Sequence, residues 1–310
     1  MPQTRRQFLS ESLATVALSS AAATLAFETR SAADTPSLPA ITDTHIYLGH
    51  WPHAQLPCED PHALVDQLLQ HNITRAWVGS FDALFHKDIA AVNDRLATAC
   101  ATNPMLIPFG AVNLTLPDWE EDLRRCHETF HMPGLRVHPN YHGYSLNDSR
   151  FARLLEMAAQ YKLLIQLVAW LDNAKHRWLM PTVDEVDLMP LTSPQGPLEK
   201  FIRAAAREHT SDETTAANAA LPRLFVTGGQ PTVIRQLIDK LPATFPIYFD
   251  VSQLTTPDQL TAIVGGNKPA AIAFGSGYPL HGIEPKIILL QTAVITADDR
   301  ARIAAGPAKL

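Results

Sequence analysis

Three short stretches hold most of the side chains able to do chemistry. In Ile41-Thr42-Asp43-Thr44-His45-Ile46-Tyr47-Leu48-Gly49, an aspartate, a histidine and a tyrosine alternate with apolar or β-branched residues. Residues two apart share a strand face, so Asp43, His45 and Tyr47 point the same way. In Gly134–Tyr144, Arg136 and His138 share a face, and a polar-aromatic turn with Asn140, Tyr141 and His142 follows. Pro246–Val251 adds Asp250, the only carboxylate deep in a late apolar run. Imidazole exchanges a proton near neutral pH, and a carboxylate can act as base or orient an imidazole. His45, His138 and Asp250 are therefore the candidate catalytic groups. Tyr47, Asn140, Tyr141, His142, Gln166, Ser276 and His281 are the candidate substrate-binding residues.

The elements that must position them are eight apolar, β-branched runs: 41–47, 75–81, 106–113, 134–138, 163–169, 224–228, 246–251 and 270–275. Amphipathic segments such as Pro61–His71, Lys87–Thr102, Pro117–Phe130 and Ser149–Gln160 lie between them. Helix starts are marked at Asp60-Pro61, Pro117-Asp118, Asp148-Ser149 and Gln230-Pro231. Strand and helix alternating eight times, with no GxGxxG opening, predict an α/β fold of the (β/α)8 TIM-barrel type in one domain. A doubly wound open sheet is the alternative. Such barrels build their sites from the C-terminal strand ends. His45, His50, His53, His86, His138, His142, His176 and His281, eight of the 13 histidines, fall at or just after those ends. Asp43 is expected below the site, paired structurally. About 54 residues separate Ala169 from Leu224, an insertion of the kind that covers a barrel mouth.

Residues 1–33 read as a twin-arginine signal peptide: Arg5-Arg6-Gln7-Phe8-Leu9, an Ala-rich apolar run, then Ser31-Ala32-Ala33. The domain is then 34–310, and the expected location is the periplasm or another exported compartment, with the export machinery as a partner. The run is too short for a permanent membrane span. The net charge of −6, with no basic cluster left after cleavage, argues against nucleic acid. Cys58, Cys100 and Cys126 fit no metal or redox spacing and read as apolar fillers.

Asp43-Thr44-His45-Ile46-Tyr47-Leu48-Gly49, Phe274-Gly275-Ser276-Gly277-Tyr278-Pro279 and the closing Ile295–Leu310 together resemble the amidohydrolase-related superfamily, in its branch of decarboxylases and lactonases. Pro307 departs from the usual ending. The resemblance implies a ligand set that this chain largely lacks. The first-strand histidine pair becomes His45 and Tyr47, and the fifth-strand histidine falls near Gln166. The sixth-strand histidine falls at Gly228 or Gly229, and the last-strand aspartate at Gly277. A catalytic zinc generally takes three protein ligands, so the expectation is no cofactor and no metal ligand, with a rearranged site using His138 and Asp250 as the alternative. The expected function is an exported hydrolase, or related lyase, acting on a small carboxylate, ester or lactone by His/Asp acid–base chemistry. A non-catalytic small-molecule-binding barrel is the other reading. A homo-oligomer is possible.

Overall fold

The structure, a computed structural model, describes residues 38–52, 54–57, 59–171, 183–201, 203, 221–242, 245–265 and 271–307. The signal peptide, His53, Cys58, Asp172, His176 and the polar run at 210–215 lie outside the described residues.

Every expected strand is present: β1 (Ile41–Leu48), β2 (Ile73–Ser80), β3 (Leu106–Pro108), β4 (Gly110–Ala111), β5 (Gly134–Val137), β6 (Leu164–Val168), β7 (Arg223–Thr227), β8 (Ile247–Asp250) and β9 (Ala271–Ala273). All pairings are parallel, in the orders β1-β2-β3 and β4-β5-β6-β7-β8-β9. Only Phe109 separates β3 from β4, and its N–H reaches the Val78 carbonyl at 2.8 Å, so one irregular strand joins the two ladders. At the other seam Thr44 N donates to Phe274 O (3.0 Å), Gly277 N to His45 O (2.9 Å) and Tyr47 N to Tyr278 O (3.0 Å). Eight strand positions are thus linked around the ring, as the alternating pattern predicts.

Strand alternation sorts the side chains. Leu135, Val137, Ile165, Leu167, Leu224, Val226 and Phe249 face outward into the main core, with Leu64, Leu68, Leu96, Leu123, Leu154 and Leu155 of the surrounding helices. Trp77, Phe109, Leu164, Phe225 and Ala273 form a separate buried cluster, with Trp77 stacked on Phe109 at 4.8 Å between ring centroids. Two residues further along their strands stand Gln166 and Asp250 beside Arg136 and His45. An aromatic plug therefore carries a polar layer on its C-terminal side, as in the layered interior of such barrels.

The helices start where the sequence marks them. Asp60 caps Pro61–Gln70 by accepting Ala63 N, Asp88 caps Ile89–Cys100 through Ala91 N, and Asp148 caps Ser149–Tyr161 through Arg150 N. Such a cap contributes about 1 kcal/mol. The described part of the insertion packs on the barrel: Val186 N donates to Ala169 O at 2.9 Å, and Leu188, Leu191 and Leu198 are buried. Cys100 and Cys126 are free and buried, as fillers would be.

Candidate functional site

His45 lies near the C-terminal end of β1 because the alternating run puts it one strand step above Asp43 and one below Tyr47. Its Nδ1 is 2.9 Å from Oδ2 of Asp250, the last residue of β8, and both side chains are buried. The other carboxylate oxygen, Oδ1, accepts from Gly228 N (3.1 Å), Ser252 N (3.2 Å) and Ser252 Oγ (2.8 Å). Three donors thus pin the carboxylate that faces the imidazole. Nε2 of His45 has no hydrogen-bond partner. Burial pulls the His45 pKa below its ordinary value, and the Asp250 carboxylate opposes that shift.

His138 follows β5 and caps the short helix Pro139–His142. Its Nε2 is 2.9 Å from the Tyr47 hydroxyl, while its Nδ1 is unpartnered. Burial, reinforced by His142, Arg136 and His45, holds its pKa well below the ordinary range. Burial pushes Tyr47 up to about 12, so the phenol keeps its proton. The Tyr47 ring stacks on Phe81 at 4.7 Å between centroids and lies 4.5 Å from the Arg136 guanidinium carbon.

Arg136, two residues before His138 on the same strand face, is 1 % exposed. Its Nε donates to Gln166 Oε1 (2.7 Å), Nη1 to Ile46 O (2.5 Å), and Nη2 to Trp77 O (2.9 Å) and Thr44 O (3.3 Å). Both ends of the Gln166 amide are engaged in this arrangement, because its Nε2 donates to Thr44 O at 2.5 Å. Gln166 therefore positions the guanidinium.

The remaining candidates divide. His142 sits beside His138, ring centroids 6.0 Å apart, and its Nε2 is bound to Ala83 O at 2.9 Å. Tyr141 stands edge-on to His138 at 6.4 Å. His281 lies over Gly277, where an added Cβ would come within 2.7 Å of its ring and where φ is +75°. Its Nε2 is unpartnered, and burial lowers its pKa to about 4. Ser276 does not open into the group: its N–H donates to Asp43 Oδ1 at 3.0 Å and its Oγ accepts from Tyr278 N. Asn140 turns away altogether. Its Nδ2 donates to Asp184 O at 3.0 Å, and it lines an outer groove of about 400 Å³ with Tyr144, Asp184 and Glu185.

Two participants were missed in the sequence, and a third, Arg136, was placed beside His138 but given no role of its own. Arg136 holds the centre. Lys286 is buried beside the mouth, donates to Leu254 O at 2.7 Å, and has its pKa lowered by burial. An apolar cover of Trp51, Phe81, Leu84, Val168, Leu171 and Leu280 packs over Tyr47. The arginine among apolar strand residues was the signal that placed Arg136 on the His138 face. Asp43 is buried below the site as expected, with Oδ1 accepting from His45 N at 3.0 Å. Its Oδ2 is unpartnered, and desolvation raises its pKa to about 7.

No family model and no curated protein matches the sequence. Solved structures do. A 2,6-dihydroxybenzoate decarboxylase from Rhizobium superposes with a TM-score of 0.62 at 14% identity, over 86% of this chain and 97% of that one. A 5-carboxyvanillate decarboxylase from Novosphingobium aromaticivorans, with bound manganese, gives 0.64 at 12% identity, over 86% and 95%. A dihydroxybenzoic acid decarboxylase from Polaromonas, with bound manganese and the inhibitor 2-nitroresorcinol, gives 0.60 at 14%, over 86% and 95%.

These structures correct the expectation of a barrel without a cofactor, since barrels of this fold are found holding manganese. Substituted ligand positions in a sequence do not establish that metal is absent. Among the described residues, however, no three His, Cys, Asp or Glu side chains are grouped to hold an ion. His45 Nε2, His138 Nδ1 and His281 Nε2 are open donor atoms at the mouth, but they do not form such a group. The resemblance read from the first and last strands holds at the level of architecture: this chain has a parallel (β/α)8 TIM-barrel fold like that of these decarboxylases.

Proposed function

We propose that this chain is an enzyme of the hydrolase or lyase type that acts on a small, ring-bearing carboxylate, ester or lactone. One observation carries the reading: two buried imidazoles at the barrel mouth each have one nitrogen 2.9 Å from a polar side-chain oxygen and the other facing no partner. We assign the protons from these facing oxygens. Asp250 facing Nδ1 of His45 places the hydrogen there and leaves Nε2 with a lone pair. In this assignment the Tyr47 hydroxyl is the donor to Nε2 of His138, so Nδ1 carries the hydrogen and is free to donate. The mouth thus holds one group able to take a proton and one able to give a hydrogen bond or proton. Ester hydrolysis needs water deprotonated and a leaving oxygen protonated, and decarboxylation needs a proton returned to carbon. The apolar cover over Tyr47 suits a ring, and the solved decarboxylases that share the fold act on hydroxylated benzoates by their names.

The signal-like residues Arg5-Arg6-Gln7-Phe8-Leu9 support export through the twin-arginine route. The experiment for the main reading is a turnover screen of hydroxybenzoates, aryl esters and lactones with the wild type and with His45→Ala and His138→Ala. Turnover that falls at least about 100-fold in both variants is expected, the usual contribution of a positioned acid or base. Turnover unchanged in both would sink the proposal, and ligand binding with no turnover of any substrate would favour the non-catalytic barrel.

A further inference from the structure

Arg136 is a permanent cation in the polar layer, and among the described residues no carboxylate touches it. Its hydrogen bonds go to three backbone carbonyls and one amide oxygen, which orient the guanidinium without neutralising it. The fold makes room for it: a Cβ on Gly79 would come within 2.7 Å of Nη1 and 2.9 Å of Cδ. Its charge lies 4.5 Å from the centre of the Tyr47 ring, whose hydroxyl is bonded to His138. A charge sealed from water acts more strongly on its neighbours than one at the surface.

We propose that Arg136 is the fixed positive charge of the mouth, a positioning residue that acts through Tyr47 on His138. It adds to burial in holding the His138 imidazole neutral at rest, and it makes the mouth favour anionic ligands over neutral ones of the same shape. This deepens the proposed function and rests on its assignment of the working site. The other charged or titratable groups around His138 are Tyr47 and His45 from β1, His142 from its own helix and, further off, Asp250 from β8, Asp43 from β1 and His281 after β9. None of these is a permanent cation, and Lys286, the other cation beside the mouth, is held by Leu254 O and acts on His281.

The test compares Arg136→Lys, which keeps the charge, with Arg136→Gln, which removes it. NMR titration follows the His138 imidazole, assigned by loss of its signal in His138→Gln. Arg136→Gln should raise the His138 midpoint by on the order of one pH unit, and Arg136→Lys should leave it near the wild-type value. If Arg136→Gln does not fold, Gln166→Glu gives the same reading, because a carboxylate beside Nε cancels the charge with the guanidinium in place. In the same samples, the ratio of benzoate to benzamide affinity should fall about tenfold where the charge is removed or cancelled. An unchanged His138 midpoint in every folded charge-removing variant would overturn the proposal. The titration needs no turnover, so its failure is distinct from failure of the turnover screen.

Discussion

Asp43→Asn isolates a cost that the fold carries beneath its site. The Asp43 carboxyl is completely buried, with Oδ1 held by His45 N and Ser276 N and Oδ2 facing no donor. Its pKa rises from 3.8 to about 7, chiefly by desolvation. The folded-state value is above the unfolded one, so the folded chain holds a proton that the unfolded chain releases between these pH values. Stability from this group therefore declines as pH rises from about 4 to about 7 and stays low above that. A shift of about three units corresponds to at most about 4 kcal/mol. Asparagine keeps the accepting oxygen and replaces the bare one with a neutral amide. Urea unfolding at pH 4, 6 and 8 should show little difference between the variant and wild type at pH 4. At pH 8 the variant should be more stable by about 1–4 kcal/mol. A difference that does not change with pH, whatever its sign, would refute the reasoning.

Other perturbations have equally definite outcomes. Asp250→Ala leaves His45 Nδ1, Gly228 N and the Ser252 donors unmatched and should cost about 3–5 kcal/mol, measured by urea unfolding. Gly79→Ala drives a methyl into the Arg136 side chain and should cost about 1–3 kcal/mol in the same assay. Phe225→Ala opens the aromatic plug and should cost about 3–5 kcal/mol, visible as a lower thermal midpoint. Tyr47→Phe removes the hydroxyl that meets His138 and should cost about 1 kcal/mol, with the His138 resonances shifted in NMR spectra.

The barrel was legible because its information is local. Alternation along 41–47 and 163–169 encodes which residues face the plug and which face the helices, and Asp60 and Asp148 mark helix starts within a residue or two. The short β3–β4 break at Phe109 was not visible, since it depends on a bond to Val78 across the ladder. Within the site, the His45–Asp250 and Tyr47–His138 contacts join residues far apart in sequence, and only the strand-face rule hinted at them. Asn140 shows the limit of that rule. It follows β5 in a polar turn, yet its partner is a carbonyl of the insertion, which no local pattern announces. Gln166 looks like a site residue by position, but its amide is consumed by Arg136 and Thr44.

The seam between β1 and the last strand has a consequence for how the molecule is assembled. Ser276 N binds Asp43 across 233 residues of chain, and Gly306 packs beside Thr42. The contacts that complete the ring are thus among the most distant in sequence, and closing so long a loop is entropically slow. They also bring the two described ends of the chain together. A circular permutant that joins these ends and opens the chain between β6 and β7 would turn the seam into a local contact. Such a permutant should fold faster than the natural order while keeping the same interior.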